Sequence, residues 1–322
     1  MSSLALKDLR RPSGLTWTVL RLHRSALLIW GGFVLATVAT LAWTVWITAD
    51  TALQERAYCL HHSPCSILTS LRYSERIGYV GTAACYSFLA VAAFAGGALI
   101  GRELENGTAR LAWTQSVTPV RWLAAKLAVP ATLITLGGTV LVVAYRWAWS
   151  AHPGLTDRDW TFQDAFVARG PLMVAYALCA LALGTLTALV LRRALPALGV
   201  SLALLFALNF ALTRLRWDLW PTLTRVQGPD DPFSLPTYAK VAEWGAVTTS
   251  GAHQEGSSSS CLGFESAERR RCLTEHGLTG TYVKYHPESH FWPLHLVETG
   301  IVLAVAAAAT AAAFWLLRRR TA

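Results

Sequence analysis

The sequence predicts an all-α integral membrane protein with six transmembrane helices. Of its 322 residues, 53% are hydrophobic and only 15% are charged, whereas a soluble domain carries about 25% charged residues. The hydrophobic residues also collect in six long runs, and a helix needs about 20 such residues to cross a bilayer. Barrel strands are about half that length and alternate in polarity, so helices are favoured. The predicted spans 1 to 6 are Ala26–Thr48, Tyr79–Gly101, Leu123–Trp147, Pro171–Leu191, Leu195–Thr213 and Leu294–Leu317.

Basic residues are distributed unequally between the two sides of the predicted bundle. Six spans place both termini on one side, and that side holds 14 basic and three acidic residues, a net charge of +11. The other side has a net charge of −2, which completes the +9 of the whole chain. Because basic residues are retained in the cytoplasm, we expect both termini there. The basic balance is therefore a topology signal, and we expect no nucleic-acid partner.

The first 25 residues precede the first apolar run. Leu15, Val19 and Leu22 recur at helical spacing among basic residues, which predicts a cytoplasmic amphipathic helix on the membrane surface. A disordered basic tail is the alternative. The rest of the chain divides into residues 26–213 with spans 1 to 5, residues 214–293 as an extracellular loop, and residues 294–322 with span 6 and a basic cytoplasmic tail. We expect the large loop to be small in structure and irregular, because it contains a serine run typical of flexible segments.

Four of the six cysteines lie in predicted external loops. Cys59 and Cys65 share the first loop, and Cys261 and Cys272 share the large one. An oxidising compartment favours disulfides, most simply Cys59–Cys65 and Cys261–Cys272, although four cysteines allow three connectivities. Their spacing matches no zinc pattern, so no metal site is predicted.

The connection between spans 2 and 3 contains residues that typically begin and end a short helix. Gly107 suits the left-handed end of one helix, and Thr108 can cap the start of the next. Thr118 can then cap span 3, with Pro119 in its first turn. We therefore expect a short cytoplasmic helix within about residues 102–118, tied to two spans and able to dock another protein. An amphipathic linker resting on lipid is the alternative.

This connection carries the pattern Glu103-x-Glu105-x-Gly107-Thr108, followed by Pro119-x-Arg121 and Lys126. The pattern resembles the coupling-helix region of ABC-2 type transporter permeases. The six spans, the tight turn between spans 4 and 5 and the long external segment are also similar, although residues 214–293 are longer and more polar than is usual in that family. The resemblance implies that a cytosolic ABC ATPase contacts this helix through Glu103, Glu105, Gly107, Thr108, Trp113, Pro119 and Arg121.

The resemblance also implies a function. The chain would be the permease subunit of an exporter in a bacterial cell membrane, working as a homodimer or as a heterodimer with a second permease, in contact with membrane lipid. The sequence contains no Gly-x-x-x-x-Gly-Lys-Ser/Thr loop, so we expect no cofactor in this chain and assign ATP and Mg to the ATPase. ATP hydrolysis there would drive alternating-access export of a hydrophobic or amphipathic substrate.

Two other functions stay open. A non-transporting membrane sensor could use the same helix to work with an ATPase. An integral membrane enzyme would need convergent acid, base or metal-binding groups at membrane depth, and the spans contain no such set, so no catalytic residue is predicted.

Polar residues within spans are candidates for a substrate path. Glu298 lies in span 6 and Asn209 in span 5, while Arg146 lies near the outer end of span 3. They could line an outer vestibule or pair with one another. The two charged side chains could instead extend to the membrane interface.

Overall fold

The computed structural model describes residues 14–114, 117–156, 159–228, 234–256, 261 and 266–321. Within these residues, six helices are long and apolar enough to cross a membrane, which confirms the predicted number. The first 13 residues of the predicted N-terminal segment lie outside the described part, and a short helix, the surface helix, follows at Leu15–Leu22. Spans 1 to 6 are Arg24–Cys59, Leu68–Glu105, Pro119–Ala151, Leu172–Leu191, Ala194–Asp218 and Glu288–Thr321.

Spans 1 and 2 extend well beyond their apolar runs because their polar ends bond to each other. Glu55 accepts hydrogen bonds from the backbone nitrogen of Thr69 at 2.8 Å and from its hydroxyl at 2.5 Å. Arg56 Nε donates to Ser70 Oγ at 2.6 Å. A disulfide between Cys59 and Cys65 closes the connection between the two helices. These two helices are therefore longer than the predicted apolar spans, since hydropathy does not report such helix pairs.

Span 4 is the centre of the bundle. In its apolar window 67% of the residues are buried, against 11% for span 1. Span 4 packs most extensively against span 6, and it also approaches the last part of span 2, which widens into a π-helix over Phe94–Gly101. A Cβ at Gly184 would lie 2.8 Å from the backbone nitrogen of Gly96. Glycine at position 184 therefore allows two helix backbones to meet.

The connection between spans 5 and 6 contains a four-stranded antiparallel sheet, so the expectation of an irregular loop and of a purely α-helical chain is wrong. A short helix, Ser266–Glu275, lies between the last two strands, and a disulfide joins Cys261 to Cys272 of this helix. The strand order is β1-β4-β2-β3. The strands are β1 Leu223–Gln227, β2 Lys240–Thr248, β3 His253–Glu255 and β4 Leu278–His286.

The sheet forms because β4 carries β-branched or aromatic residues on both of its faces and is mostly buried. Thr281, Val283 and Tyr285 point to one face, and Tyr282 and Lys284 point to the other. Residues of this type favour strands. Because β4 pairs with β1 on one side and with β2 on the other, it is the central strand that organises the sheet. A strand of nine residues gives a much weaker sequence signal than six long apolar runs, so the sheet was not predicted.

The bundle has two distinct ends. The link end carries the surface helix, the connection between spans 2 and 3, and the turn between spans 4 and 5. In that turn Arg192 adopts a left-handed conformation with φ 54° after span 4. The sheet end carries the sheet and the connection between spans 3 and 4. That connection includes a short helix, Gln163–Ala168, of which Asp164 to Ala168 are buried.

The contact at Gly184 generates a stability prediction. Gly184→Ala should lower the free energy of unfolding by about 1–3 kcal/mol, because the added methyl group overpacks a close helix contact. Gly199→Ala in span 5 is the control, since a Cβ there meets nothing within 4 Å. Thermal unfolding of the purified protein in detergent, followed by tryptophan fluorescence, measures both. Equal melting temperatures for the two variants would contradict the packing described here.

Candidate functional site

The connection between spans 2 and 3, taken here together with the last turn of span 2 from Arg102 to Glu105, reverses at a glycine. Gly107 has φ +73°, a left-handed conformation that glycine adopts without strain. A short helix, called the link helix below, then runs over Thr108–Thr114. The hydroxyl of Thr108, the first residue of this helix, donates to the carbonyl oxygen of Glu103 at 3.2 Å, so Thr108 closes the turn before the link helix. Thr118 accepts a hydrogen bond from the backbone nitrogen of Arg121 and caps span 3, with Pro119 in the first turn.

Glu103 fastens this connection to span 3. Its carboxylate lies 2.5 Å from Lys126 Nζ, and the two side chains are only 16% and 4% exposed. Lys126 Nζ also lies 3.0 Å from His23 Nε2, between the surface helix and span 1. The carboxylate of Glu103 is thus directed into the bundle. The resulting chain of three residues joins the connection, span 3 and the N-terminal helices.

Glu105 fastens the same connection to span 5. Its Oε2 accepts a hydrogen bond from the backbone nitrogen of Ala194, the first residue of that span, at 2.9 Å. A carboxylate at this position satisfies an amide that has no partner within the helix. It also lies favourably at the positive end of the helix dipole. A movement of this connection would therefore act on spans 3 and 5 together.

The link helix has an inward aromatic side and an outward side. Trp113 is half-buried and packs edge-on against Trp122, with ring centroids 5.7 Å apart. It lies beside a cavity of about 90 Å³ whose wall includes Leu189 of span 4 and Arg320 of span 6. Arg320 Nη1 donates to the carbonyl oxygen of Leu189 at 2.5 Å. Trp113 thus contacts span 3 and faces the ends of spans 4 and 6 across this cavity.

Leu111 is the large apolar side chain on the outward side, with 60% of its surface exposed. Other exposed residues of this region are Thr108, Arg110, Thr114 and Arg121, of which Arg110 also borders the cavity beside Trp113. The link helix therefore presents one leucine among basic and hydroxyl side chains. This surface, defined by these five residues, is called the link surface.

A buried ion pair lies at the sheet end. Arg216 at the end of span 5 and Glu298 in span 6 are 1% and 0% exposed. Arg216 Nε lies 2.7 Å from Glu298 Oε2, and Arg216 Nη2 lies 3.1 Å from Oε1, a bidentate arrangement. The hydroxyl of Tyr176 in span 4 donates to Glu298 Oε1 at 3.0 Å. One carboxylate thus holds together the ends of spans 4, 5 and 6.

Aromatic residues cover this ion pair. The guanidinium group of Arg216 lies 3.9 Å from the ring centroid of Phe166. Phe166 packs against His295, with the two ring centroids 5.1 Å apart. His295 Nε2 accepts a hydrogen bond from the backbone nitrogen of Leu172 at the start of span 4, at 3.1 Å. A Cβ at Gly170 would lie 2.4 Å from the same ring nitrogen, so glycine is required there. The cover excludes water and strengthens the ion pair.

Hydrogen bonds attach the sheet region to the helices next to this aromatic cover. His286 Nε2 lies 3.0 Å from the carbonyl oxygen of Trp217, and Trp160 Nε1 donates to the carbonyl oxygen of Tyr238 at 2.8 Å. Burial lowers the pKa of His286, so the ring is neutral at pH 7. We conclude that neutral hydrogen bonds hold the sheet to the end of span 5, and the segment before β2 to the connection between spans 3 and 4.

A charged network stabilises one face of the sheet. Glu243 accepts hydrogen bonds from Lys284 Nζ at 2.8 Å and from the hydroxyl of Tyr282 at 2.5 Å. The hydrogen bond from Lys284, followed by that from Tyr282, lowers the pKa of Glu243. The hydrogen bond to Glu243 in turn raises the pKa of Tyr282 to about 12.

Among the described residues, one group of three potential metal ligands lies close together: Cys261, Cys272 and His276. The two cysteines are joined in a disulfide, so neither offers a thiolate. Cysteine binds a metal as the thiolate, and His276 alone remains as a ligand, so the group is no metal site in this state.

A family model described as "ABC-2 membrane transporter related" matches residues 31–216, which is 186 of the 322 residues. The chain belongs to this family. No curated protein and no solved structure matches the sequence. As an ABC-2 permease, the chain is the membrane component of a transporter. The matched region ends at Arg216, so the buried ion pair joins its last residue to span 6 beyond it.

The polar residues predicted within the spans of the permease have other partners than expected. Glu298 pairs with Arg216 and not with Arg146 or Asn209, because Arg216 belongs to the helical end of span 5. Arg146 lies over the ring of Trp292, 4.9 Å from its centroid. Asn209 lies beside the hydroxyl of Tyr176. Arg216 and Tyr176 are not predicted as site residues from the sequence, since the apolar run of span 5 ends before Arg216 and a single tyrosine in span 4 carries no signal.

The ion pair of the permease generates a second stability prediction. Glu298→Gln should lower the free energy of unfolding by about 3–5 kcal/mol, because it leaves Arg216 charged and buried without a counter-charge. Glu288→Gln is the control. Glu288 is 56% exposed and lies 3.9 Å from Arg169, so this change should cost about 1 kcal/mol or less.

Thermal unfolding in detergent compares these variants with a third, Arg216→Met combined with Glu298→Leu. The double variant should be more stable than Glu298→Gln, because no uncompensated charge remains. A Glu298→Gln protein as stable as the Glu288→Gln protein would rule out the buried pair.

Proposed function

We propose that this ABC-2 permease is the membrane subunit of an ATP-driven exporter and that the link surface docks a separate cytosolic ABC ATPase. The observation that carries the proposal is the double attachment of the connection between spans 2 and 3. Glu103 joins it to Lys126 of span 3, and Glu105 joins it to the first residue of span 5. A flexible linker would have no need of two such anchors.

The orientation follows from charge. The described part of the link end carries 11 basic and two acidic side chains, including the arginines of the C-terminal turn and of the turn between spans 4 and 5. Positive residues are retained in the cytoplasm, so the link end faces the cytosol of a bacterial cell. The sheet and both disulfides then face the oxidising exterior, where disulfides persist.

Motion passes from the ATPase to the spans through short, charge-assisted contacts. Binding at Leu111 pushes the link helix, and Trp113 carries the displacement to the ends of spans 4 and 6. Glu103 and Glu105 carry it to spans 3 and 5. Because these contacts are short and direct, a displacement of the link helix tilts the spans as rigid bodies. This coupling gives alternating access in a complex of two permeases, identical or different, and two ATPases.

The seven residues predicted to contact the ATPase take different roles in this proposal. Thr108 and Arg121 are exposed and belong to the link surface. Glu103, Glu105 and Trp113 are transmission residues because their side chains contact other parts of the chain. Gly107 and Pro119 set the directions in which the link helix and span 3 begin. Leu111 replaces Trp113 as the apolar contact residue.

ATP and Mg are bound by the partner ATPase in this proposal. The substrate is hydrophobic or amphipathic, because the spans offer apolar surface and the most deeply buried charge at the sheet end, Glu298, is neutralised by Arg216. Transport assays in vesicles that contain both subunits separate this function from a sensor that hydrolyses ATP without moving a substrate.

Docking generates a binding prediction. Leu111→Asp should abolish co-purification of the ATPase, because it places a carboxylate where an apolar pocket is expected to close over the leucine. Leu60→Asp is the matched control, since Leu60 is 80% exposed at the sheet end. Affinity purification of the tagged permease, with the ATPase quantified by mass spectrometry, measures both. Retention of the ATPase by the Leu111→Asp protein would overturn the proposed docking site.

Transmission generates a separate prediction. Glu105→Ala should leave ATPase binding intact and reduce substrate-stimulated ATP hydrolysis, because the anchor to span 5 is lost while the link surface is unchanged. Arg110→Ala, on the link surface, should instead weaken binding first. Binding and hydrolysis assays on the reconstituted complex distinguish the two effects. If Glu105→Ala retained full stimulation, this route to span 5 would be excluded.

A further inference from the structure

An apolar cavity of about 380 Å³ opens on the lipid-facing side of the bundle near the link end. The surface helix, the first turns of span 1 and parts of spans 2 and 3 form its walls. Ile29 of span 1 and Ala90 of span 2 line it and are exposed, so the cavity is open to the membrane on that side. Val91 and Ile134 lie at its buried back wall.

The polar side chains on the wall already have partners within the chain. Trp30 Nε1 donates to the carbonyl oxygen of Leu133 at 3.2 Å. Ser87 Oγ donates to the carbonyl oxygen of Ala84 at 2.8 Å. His23 Nε2 lies 3.0 Å from Lys126 Nζ. An occupant with its own hydrogen-bonding groups would lose hydration without compensation, so the cavity suits a hydrocarbon chain.

The charge at the rim of the cavity indicates which headgroup the bound molecule carries. Arg21 and Arg24 flank the wall residues Leu20 and His23, and both arginines are exposed. The nearest acidic side chain on the connection, Glu103, is already paired with Lys126. The rim is therefore positive, at the level where a spanning helix begins and lipid headgroups lie. Basic residues at this level attract anionic lipids.

We infer that this cavity binds one acyl chain of an anionic membrane phospholipid, with the headgroup at Arg21 and Arg24. The bound chain packs between span 1 and spans 2 and 3, and the surface helix covers its headgroup end. The inference rests on the membrane embedding of the permease and does not depend on the proposed docking of an ATPase.

The shape of the cavity is maintained by span 3. A Cβ at Gly137 would lie 2.5 Å from Trp30 Nε1, so glycine allows the indole to lie flat against that helix. Trp30 is thereby held on the wall and leaves the cavity open. At the headgroup end, His23 and Lys126 connect the wall to Glu103. A bound lipid therefore supports the anchor that joins the connection to span 3.

Photo-cross-linking tests the site. The purified full chain, without any ATPase, is reconstituted in vesicles that contain phosphatidylglycerol with a photoreactive group in the acyl chain, and adducts are mapped by mass spectrometry. Adducts should concentrate on the wall residues of spans 2 and 3. Adducts spread evenly over lipid-facing positions such as Val140 and Val143, which lie outside the cavity, would overturn the site.

A matched pair of variants sharpens the result. Ala90→Trp fills the cavity and should cause a several-fold loss of adducts on its wall. Ala83→Trp is also at an exposed position of span 2, outside the cavity wall, and should leave labelling unchanged. Because both positions face lipid, both variants should fold, and a melting temperature checks this. Unchanged wall labelling in a folded Ala90→Trp protein would overturn the inference.

The headgroup is tested with phosphatidylcholine that carries the same photoreactive chain. It should label the wall several-fold less than phosphatidylglycerol, and Arg21→Gln combined with Arg24→Gln should remove the difference. Equal labelling by the two lipids in the unmodified protein would overturn the anionic assignment.

Discussion

Within the hydrocarbon of a bilayer, polar groups must find partners in the chain itself, because no water is available to hydrate them. This constraint accounts for the main contacts of the permease. Glu298 is acceptable at full burial because Arg216 and Tyr176 occupy its oxygens. Lys126 is acceptable at 3% exposure because Glu103 neutralises it. Each of these two buried ion pairs therefore joins separate helices of the bundle.

The same constraint divides the molecule into two functional ends. At the sheet end, one carboxylate joins spans 4, 5 and 6 under an aromatic cover, and the sheet is attached above it. At the link end, Glu103 and Glu105 join the connection between spans 2 and 3 to spans 3 and 5. Between these rigid contacts, the spans meet mainly through apolar and small residues, such as Gly184 against Gly96. Such surfaces slide more readily than ion pairs break, so movement at one end can reach the other.

The same constraint explains which molecules the apolar cavity can bind. Its wall offers no polar side chain without a partner, so it repels polar occupants and accepts hydrocarbon. Its headgroup end meets the His23–Lys126–Glu103 chain, so the lipid that we infer in this cavity lies next to the anchor of the link helix. The membrane thus contributes to the position of the surface that we propose for ATPase docking.

Much of the fold follows from sequence, because six apolar runs of about 20 residues admit few structures. Local turn and helix-capping signals were also informative: Gly107 does reverse the chain, and Thr118 with Pro119 does begin span 3. Long-range pairs could not be predicted, since Arg216 and Glu298 are 82 residues apart and hydropathy assigned Arg216 to a loop. The direction of Trp113 was not predictable either. Periodicity identifies an amphipathic helix but not which side rests on neighbouring spans.

Photo-cross-linking from position 111 in intact membranes tests the central claim most directly. A photoreactive amino acid in place of Leu111 should yield one adduct, with the combined mass of the permease and a cytosolic ATPase. The same probe in place of Leu60 should yield no ATPase adduct. An ATPase adduct from position 60, or none from position 111 in membranes that contain the ATPase, would contradict the account.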